Sequence, residues 1–152
     1  MEKIQTTWEN NLADIEVDNV KRVLEEEKDK LNNDLTEKLR KYKGKSPLLL
    51  EIIRDKMTRL INWKIILLSL LPEDKEDDTY TKKLKDFVIM DYSITHATIR
   101  LHKRSLKRLP LPPQGKRNAD IDNINKKIRK LNEKIQIMKS KFPGIKEVRI
   151  PE

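Results

Sequence analysis

The stretch EIIRDKMTRLINWKIILLSLLPE, residues 51–73, begins as an amphipathic helix and ends apolar on nearly every side. Apolar residues recur at three- and four-residue steps, which predicts one face packed on a core: Ile53, Met57, Leu60, Ile61, Ile65 and Leu68. From Ile65 to Leu71 the polar face is lost. Such an end is either wrapped by helices of the same chain or buried against another subunit. The candidate protein-interface residues of this helix are Ile65, Leu67, Leu68, Leu70 and Leu71.

The composition favours an all-α protein. Of the 152 residues, 36% are hydrophobic and 39% are charged, with only three glycines. This balance is typical of long solvated helices rather than sheets. We expect a bundle of three main long helices plus a C-terminal heptad helix after a proline-rich linker. The corresponding ranges are 1–109 for the bundle, 110–119 for the linker, 120–142 for the heptad helix and 143–152 for the tail.

Cysteine usage and hydropathy bear on the compartment. The chain has no cysteine, which excludes disulfides, thiolate metal sites and cysteine nucleophiles. The N-terminal residues lack the apolar stretch of a signal peptide. The longest apolar run, IILLSLL, is about a third of what a bilayer span needs. We therefore expect no membrane partner and an intracellular location, in the cytoplasm or nucleoid, or in the nucleus of a eukaryote.

Helix start and stop signals define the three main helices. Asp18 is a candidate N-cap for the first, and a shorter helix or turn around Trp8 is expected before it. The second starts at Ser46-Pro47, because a proline at the first helical position sacrifices no hydrogen bond. It stops at Pro72. The predicted segments are residues 18–42, 46–71 and 80–108, with an acidic loop at 72–79.

A second apolar pattern follows the prolines of LPLPPQGKRN, residues 109–118. Seven apolar residues repeat there at alternating steps of three and four, which is the a/d seam of a coiled coil: Ile121, Ile124, Ile128, Leu131, Ile135, Met138 and Phe142. One narrow seam does not fold alone, so this helix docks either on the first three helices or on a partner. The six seam residues from Ile121 to Met138 are candidate interface residues. In the tail, Val148 and Ile150 alternate with charges, which predicts a short strand.

Charge divides the chain into unlike halves. Residues 1–78 hold 15 Lys+Arg against 18 Asp+Glu, whereas residues 79–152 hold 19 against 7. A basic half of this kind is typical of a surface that contacts phosphates or an acidic partner. Helix-end charge and solubility explain it equally well. The candidate nucleic-acid-binding residues are Arg100, Lys103, Arg104, Lys107, Arg108, Lys116 and Arg117.

The sequence lacks the patterns of a reactive site. Its two histidines, His96 and His102, are six positions apart on the predicted third helix and point in different directions, so a shared metal is not expected. It has no Gly-rich phosphate loop, nucleophile elbow or other nucleotide-binding signature. We therefore expect a protein that is not an enzyme and that uses no metal or cofactor.

The order of features from residue 8 to residue 113 is distinctive: an early Trp, the helix RDKMTRLINWKIILLSLL, an acidic loop and a long helix ending in LHKRSLKRLPLPP. This order resembles the helical domain of GINS subunits, which form an accessory complex of the replicative helicase. The counterparts of the family's central-helix pattern, with imperfect spacing, are Arg54, Arg59, Leu60, Lys64 and Ile65. Its basic turn before Leu-Pro is matched by Leu106, Lys107, Arg108, Leu109 and Pro110. The small β-rich domain of such subunits is replaced here by the heptad helix.

The resemblance implies a non-catalytic scaffold for DNA replication that clamps the MCM helicase and a RecJ-like protein. Its apolar helix faces would join other subunits, and its basic half would contact DNA or an acidic partner. The main alternative is a helical nucleic-acid-binding protein that acts alone or as a homodimer through the seam at residues 121–142. A structural coiled-coil protein of a virus or mobile element is a third possibility.

Overall fold

The computed structural model describes residues 2–41, 47–108 and 119–150, and within them the chain is all-α, as predicted. These residues form five helices. They are α1 (Glu2–Ala13), α2 (Val17–Lys41), α3 (Pro47–Ser69), α4 (Tyr80–Arg108) and α5 (Ala119–Lys141). The bounds of α4 agree with the prediction from the sequence, and α3 begins at the proline that was expected to start it.

The start of α2 differs from the prediction. The helix begins at Val17, and the backbone N–H of Val20 donates to the carbonyl of Glu16 at 3.0 Å. Because the N-cap is the residue whose carbonyl accepts the first helical hydrogen bond, Glu16 takes that position and Asp18 lies inside the first turn. The carboxylate of Asp18 still lies at the positive end of the helix dipole, where an acid is favourable.

The helices pack mainly on their neighbours in the sequence. Helix α2 packs on α3, α3 on α4 and α4 on α5, while α1 contacts α4 and α5. The connection from α3 to α4 is the acidic loop, whose side chains from residue 73 to residue 79 are exposed. Because α4 contacts three other helices, it is the central element of the fold.

A large apolar cluster joins all five helices. Its buried members include Trp8 and Leu12 of α1, Leu24 of α2, Leu68 of α3 and Phe87 of α4. Helix α5 and the residues that follow it contribute Ile124, Ile128, Ile135, Met138, Phe142 and Ile145. The heptad seam therefore docks on the same chain. Since burying one such side chain is worth about 1.5–3 kcal/mol, α5 adds a substantial share of the core.

A second, smaller cluster lies between α3 and α4. It contains Ile53, Met57 and Leu60 from α3 and Ile94, Ala97 and Leu101 from α4. Ile150 from the C-terminal tail completes it. The tail therefore covers part of the α3–α4 contact instead of extending into solvent.

The segment after α5 folds back by a tight turn. Gly144 has a φ of 82°, and the N–H of Ile145 donates to the carbonyl of Phe142 at 3.0 Å. Glycine suits this position because other residues seldom adopt positive φ. Residues 145–150 then run without regular secondary structure, so the predicted strand is wrong. Val148 donates its N–H to the hydroxyl of Ser93 on α4 at 2.8 Å instead of to a neighbouring strand.

Trp8 fixes α1 to the turn after α5. Its indole Nε1 donates to the carbonyl of Pro143 at 2.9 Å, and its ring lies 4.9 Å from the ring of Phe142. The Nζ of Lys85 on α4 lies 5.2 Å from the centroid of the same indole, within cation–π range. One side chain thus connects α1, α4 and the C-terminal segment.

Candidate nucleic-acid and protein interfaces

Four of the predicted phosphate-contacting side chains lie on one exposed face of α4. Arg100, Lys103, Arg104 and Lys107, here called the α4 basic face, are all exposed. Their spacing of three, one and three positions places them on one side of a helix, roughly opposite the buried Ser105. The helix C-terminus adds its own partial negative charge behind them, which favours cations there.

The C-terminal tail contributes one acid to this face. Nη1 of Arg100 lies 2.7 Å from Oε1 of Glu147, and Nδ1 of His96 lies 3.9 Å from Oε2 of the same carboxylate. Lys146 and Arg149, on either side in the tail, are exposed. The tail therefore pairs one cation of the face and brings two more cations close to α4.

The side chains of the other three predicted phosphate-contacting residues fall outside the part of the chain that the structure describes. The side chain of Arg108, the last residue of α4, and both Lys116 and Arg117 lie outside the described residues. Their part in a nucleic-acid surface stays a prediction.

The apolar end of α3 divides into buried and exposed parts. Leu68 is buried in the large cluster, and Ile65, Leu67 and Leu71 are partly buried against it. Leu70 is 60% exposed. Of the five interface residues predicted in this helix, only Leu70 presents most of its side chain to solvent.

Two exposed apolar residues on α3 were not among the predicted sites. Trp63 is 36% exposed and Ile66 is 55% exposed. With Leu70 they lie three and four positions apart, on the helix face opposite the core. We call Trp63, Ile66 and Leu70 the α3 stripe. A helical projection of residues 59–70 places these three residues on one line. It does not show whether a neighbouring helix covers that line.

A groove of ≈ 460 Å³ runs beside the stripe. Its wall consists of the aromatic ring of Trp63 with Leu60, Ile66 and Leu101, and is mostly apolar. Lys56 and Arg59 line it as well, about two turns and one turn before Trp63, respectively. The α3 surface thus offers an apolar groove with cations at one end.

The heptad seam is not a free surface in this structure. Four of its predicted interface residues, Ile124, Ile128, Ile135 and Met138, are buried in the chain's own core, and Ile121 and Leu131 are partly buried against it. The physical reason is that α4 and α1 cover the seam and remove it from water. These six residues are therefore corrected from a contact with another subunit to packing within the chain.

A buried ion cluster ties three helices together. Asp91 of α4 accepts from Lys64 of α3 at 3.0 Å and from Lys134 of α5 at 2.9 Å, both at Oδ1. Lys64 is buried, and Asp91 is mostly so. The sequence alone does not reveal this cluster, because the shared partner of the two lysines is remote from both along the chain. The cluster fixes how α3 and α5 are seated on α4.

The two lysines keep the Asp91 carboxyl ionised. Burial by itself raises the pKa of Asp91, but the ammonium group of Lys64, followed by that of Lys134, lowers this pKa to about 2. Burial lowers the pKa of Lys64, and the attraction of Asp91 opposes that shift. Two cations thus share one carboxylate: Lys64 and Asp91 are largely shielded from water, and Lys134 reaches them from a partly exposed position.

The low pKa of Asp91 makes stability depend on pH in a defined window. The ordinary value is 3.8 and the folded value about 2, so the stabilisation is complete above about pH 4 and is lost as pH falls through about 2. It amounts to about 2 kcal/mol. We expect urea unfolding of the wild type and of Asp91→Asn to give free energies that differ at pH 5 and converge towards pH 2. A gap of constant size would contradict this result.

A second, wider cleft separates α2 from α5. It has a volume of ≈ 760 Å³ and is lined by acids of α2, among them Glu27 and Asp34, and by lysines of α5, among them Lys126 and Lys130. Nζ of Lys127 lies 3.8 Å from Oδ2 of Asp34 across it. Both of these side chains are partly exposed, so the contact adds little to stability.

The histidines lie at separate places, as their spacing predicted. His102 lines the cleft between α2 and α5, whereas His96 lies beside Glu147. Within residues 2–41, 47–108 and 119–150 no group of three or more His, Cys, Asp or Glu is arranged to hold a metal ion. None of the described helices has the length and apolarity to cross a membrane.

Comparison with known proteins gives no match: no family model, no curated protein and no solved structure matches this chain. The function is therefore inferred from the two surfaces described above, the α4 basic face and the α3 stripe.

Proposed function

We propose that this chain is a non-catalytic, all-α subunit of a DNA-replication assembly of the GINS type. In this proposal the α4 basic face contacts DNA phosphates, and the α3 stripe contacts a neighbouring subunit. The two surfaces lie on different helices, so one chain can hold both partners at once.

The observation that carries the proposal is the α4 basic face. Four exposed cations occupy two turns of one helix face, and no acid occurs in α4 after Asp91. Lysine and arginine contacts of this kind bind phosphates without reading a base sequence, and they release counterions, so binding weakens as salt rises. The dipole of α4 favours cations near the C-terminus of the helix, but it does not explain why four of them lie on one side of it.

The replication role rests on the order of features that resembles GINS subunits. The α3 stripe supports a place in an assembly, because an exposed row of Trp, Ile and Leu is costly in water. In that role the MCM helicase and a RecJ-like protein are the expected partners. Light scattering of the chain alone and mixed with each of these proteins tests this part, and no complex with either would contradict it.

The stand-alone alternative uses the same α4 basic face and needs no other protein. Its homodimeric form was expected to use the seam at residues 121–142. The buried positions of Ile124, Ile128 and Ile135 leave that seam without a free apolar surface. A homodimer would therefore need another face of the chain.

Reversing charge on the α4 basic face should weaken DNA binding. We expect Lys103→Glu combined with Lys107→Glu to lower affinity for duplex DNA at low salt and to reduce the slope of log K against log salt by about 2, since each lost phosphate contact removes about 0.9. Fluorescence anisotropy of a labelled duplex across a salt series measures both quantities.

The matched control is Lys139→Glu with Lys141→Glu. These exposed lysines at the end of α5 give the same change in net charge, but they lie near α1, where Asn11 donates to the carbonyl of Lys141 at 2.8 Å. The control should keep most of the affinity and slope. If both double variants lose affinity equally, binding follows net charge and the α4 basic face is not the DNA site.

A further inference from the structure

The C-terminal tail, residues 145–150, is held against the helices at three points. Ile145 is buried in the large apolar cluster, and Ile150 is buried in the small one. Between them the N–H of Val148 donates to the hydroxyl of Ser93 at 2.8 Å. Ser93 is itself fully buried on α4. Because these contacts span the tail, the side chains between them have defined positions over the helix.

The acid of the tail occupies a position that suits a phosphate. Oε1 of Glu147 lies 2.7 Å from Nη1 of Arg100, and Oε2 lies 3.9 Å from Nδ1 of His96, one turn earlier on α4. The first contact is a charge-assisted hydrogen bond, and the second is too long for one. Arginine binds carboxylate and phosphate oxygens through the same donors. The carboxylate of Glu147 therefore stands where a DNA phosphate would contact Arg100.

Tethering favours Glu147 over the phosphates of DNA. The carboxylate belongs to the same chain and is anchored on both sides, so its local concentration at Arg100 is at least on the order of millimolar. An incoming phosphate has either to displace this carboxylate or to bind beside it, where the two like charges repel. Both routes weaken DNA binding at this end of the α4 basic face.

The net charge of the tail acts in the opposite direction. The tail carries Lys146 and Arg149 against the single acid Glu147, and both cations are exposed. By its net charge alone the tail would attract phosphates. The effect on Arg100 therefore depends on where Glu147 is held. Substitution of Glu147 isolates that effect, whereas deletion of the tail would also remove the two cations.

We propose that the C-terminal tail is an internal competitor for DNA, in which Glu147 occupies the phosphate position at Arg100 while the tail is docked. This inference rests on the proposed function, because it concerns the α4 basic face as a DNA surface. In the docked form, binding is carried by the part of the face from Lys103 to Lys107. Release of the tail adds Arg100 to that surface.

Removing the charge of Glu147 tests the competition. We expect Glu147→Gln to raise the affinity for a labelled duplex at low salt by about five- to tenfold, the scale of one charge-assisted contact. The slope of log K against log salt should steepen by about 0.9, because one more phosphate contact releases counterions. Fluorescence anisotropy across a salt series measures both quantities. The exposed ion pair adds little to stability, so the variant should keep its helical circular dichroism.

The matched control is Asp86→Asn. It removes one acid from an exposed position of α4, 14 positions before Arg100, or about 21 Å along the helix. The net charge changes by the same amount, but the contact of Glu147 with Arg100 stays. The control should raise affinity by less than about twofold, because salt screens charges at that distance. Equal gains for the two variants would mean that net charge alone is responsible and would overturn the proposal.

A double variant tests whether Arg100 is the group that the substitution releases. Adding Arg100→Gln to Glu147→Gln restores the net charge of the wild type and removes the arginine. The salt slope should then return to the wild-type value, because the additional phosphate contact is lost. A double variant that kept the steeper slope would refute the role of Arg100.

Loosening the tail without changing any charge gives an independent test. Ser93→Ala removes the hydroxyl that accepts from the N–H of Val148. We expect amide hydrogen exchange at Val148 to become faster and DNA affinity to rise by about twofold or more, since one hydrogen bond that docks the tail is lost. Faster exchange without a gain in affinity would contradict the proposal.

The two proposals fail in different ways. Suppose that Lys103→Glu with Lys107→Glu weakens DNA binding but Glu147→Gln does not strengthen it. The α4 basic face then remains the DNA surface, and only the competition by the tail is removed. If neither the wild type nor Glu147→Gln binds DNA, the proposed function is removed, and the competition with it.

Discussion

Replacing Asp91 with alanine should lower the free energy of unfolding by about 3–5 kcal/mol, because it leaves a buried ammonium without its partner. In the folded protein the carboxylate of Asp91 lies within 3.0 Å of Lys64 and 2.9 Å of Lys134. Without it, Lys64 stays buried beside a second cation. Since small proteins are stable by only about 5–15 kcal/mol, this is a large fraction of the total. Urea unfolding at pH 7, followed by circular dichroism, measures the change.

Two further variants isolate the cause. Asp86→Ala removes an exposed carboxylate from the same helix and should change stability by less than about 0.5 kcal/mol. Adding Lys64→Met to Asp91→Ala removes the stranded charge and should recover most of the loss, since a buried ion pair replaced by apolar groups often costs little. If the double variant is as unstable as Asp91→Ala, the loss does not come from the buried lysine.

The fold was largely predictable because its signals are local. The period of apolar residues sets each helix, and Pro47 marked the start of α3 correctly. Boundaries without such a signal were less certain. The N-cap of α2 is Glu16, two residues before the candidate Asp18, and the strand expected in the tail is missing from residues 145–150. In both places backbone or tertiary hydrogen bonds determine the local structure, and the spacing of apolar residues does not predict those bonds.

The candidate surfaces were less predictable, because burial is a property of the neighbours. Within IILLSLL the apolar composition is uniform, yet Leu68 is buried and Ile66 is exposed. The heptad seam would look the same whether it docks on its own chain or on another. Lys64 has the spacing of a buried position, but only the approach of Asp91 from α4 makes a buried lysine tolerable.

Helix α4 carries residues that stabilise the fold on one face and the basic residues proposed to bind DNA on another. Its inner face holds Ile94 and Leu101 in the small cluster, and Asp91 binds the lysines of two neighbouring helices. Its outer face near the C-terminus carries the basic side chains. Because the faces are separate, substitutions at Lys103 or Lys107 should change binding without changing stability, and substitutions at Asp91 should change stability first.

Docking of α5 on its own chain leads to the second large effect. Ile135→Asp should lower the free energy of unfolding by more than about 4 kcal/mol, because it removes a buried apolar side chain and places an unpaired carboxylate in the core. Ile135 is 3% exposed, whereas Ile137, on the other side of the same helix, is 55% exposed. Chemical unfolding of the purified variants, followed by helical circular dichroism, measures both.

The matched control is Ile137→Asp, which makes the same chemical change two positions away, about 200° around the helix. It should cost less than about 1 kcal/mol, since its carboxylate stays in water. The comparison is independent of helix propensity, which is the same for both substitutions. If the two variants lost equal stability at every protein concentration, α5 would not bury its seam on α4 and α1. If the destabilisation by Ile135→Asp disappeared on dilution of the protein, the seam would be covered by another chain. Docking on a partner would then replace docking on the same chain.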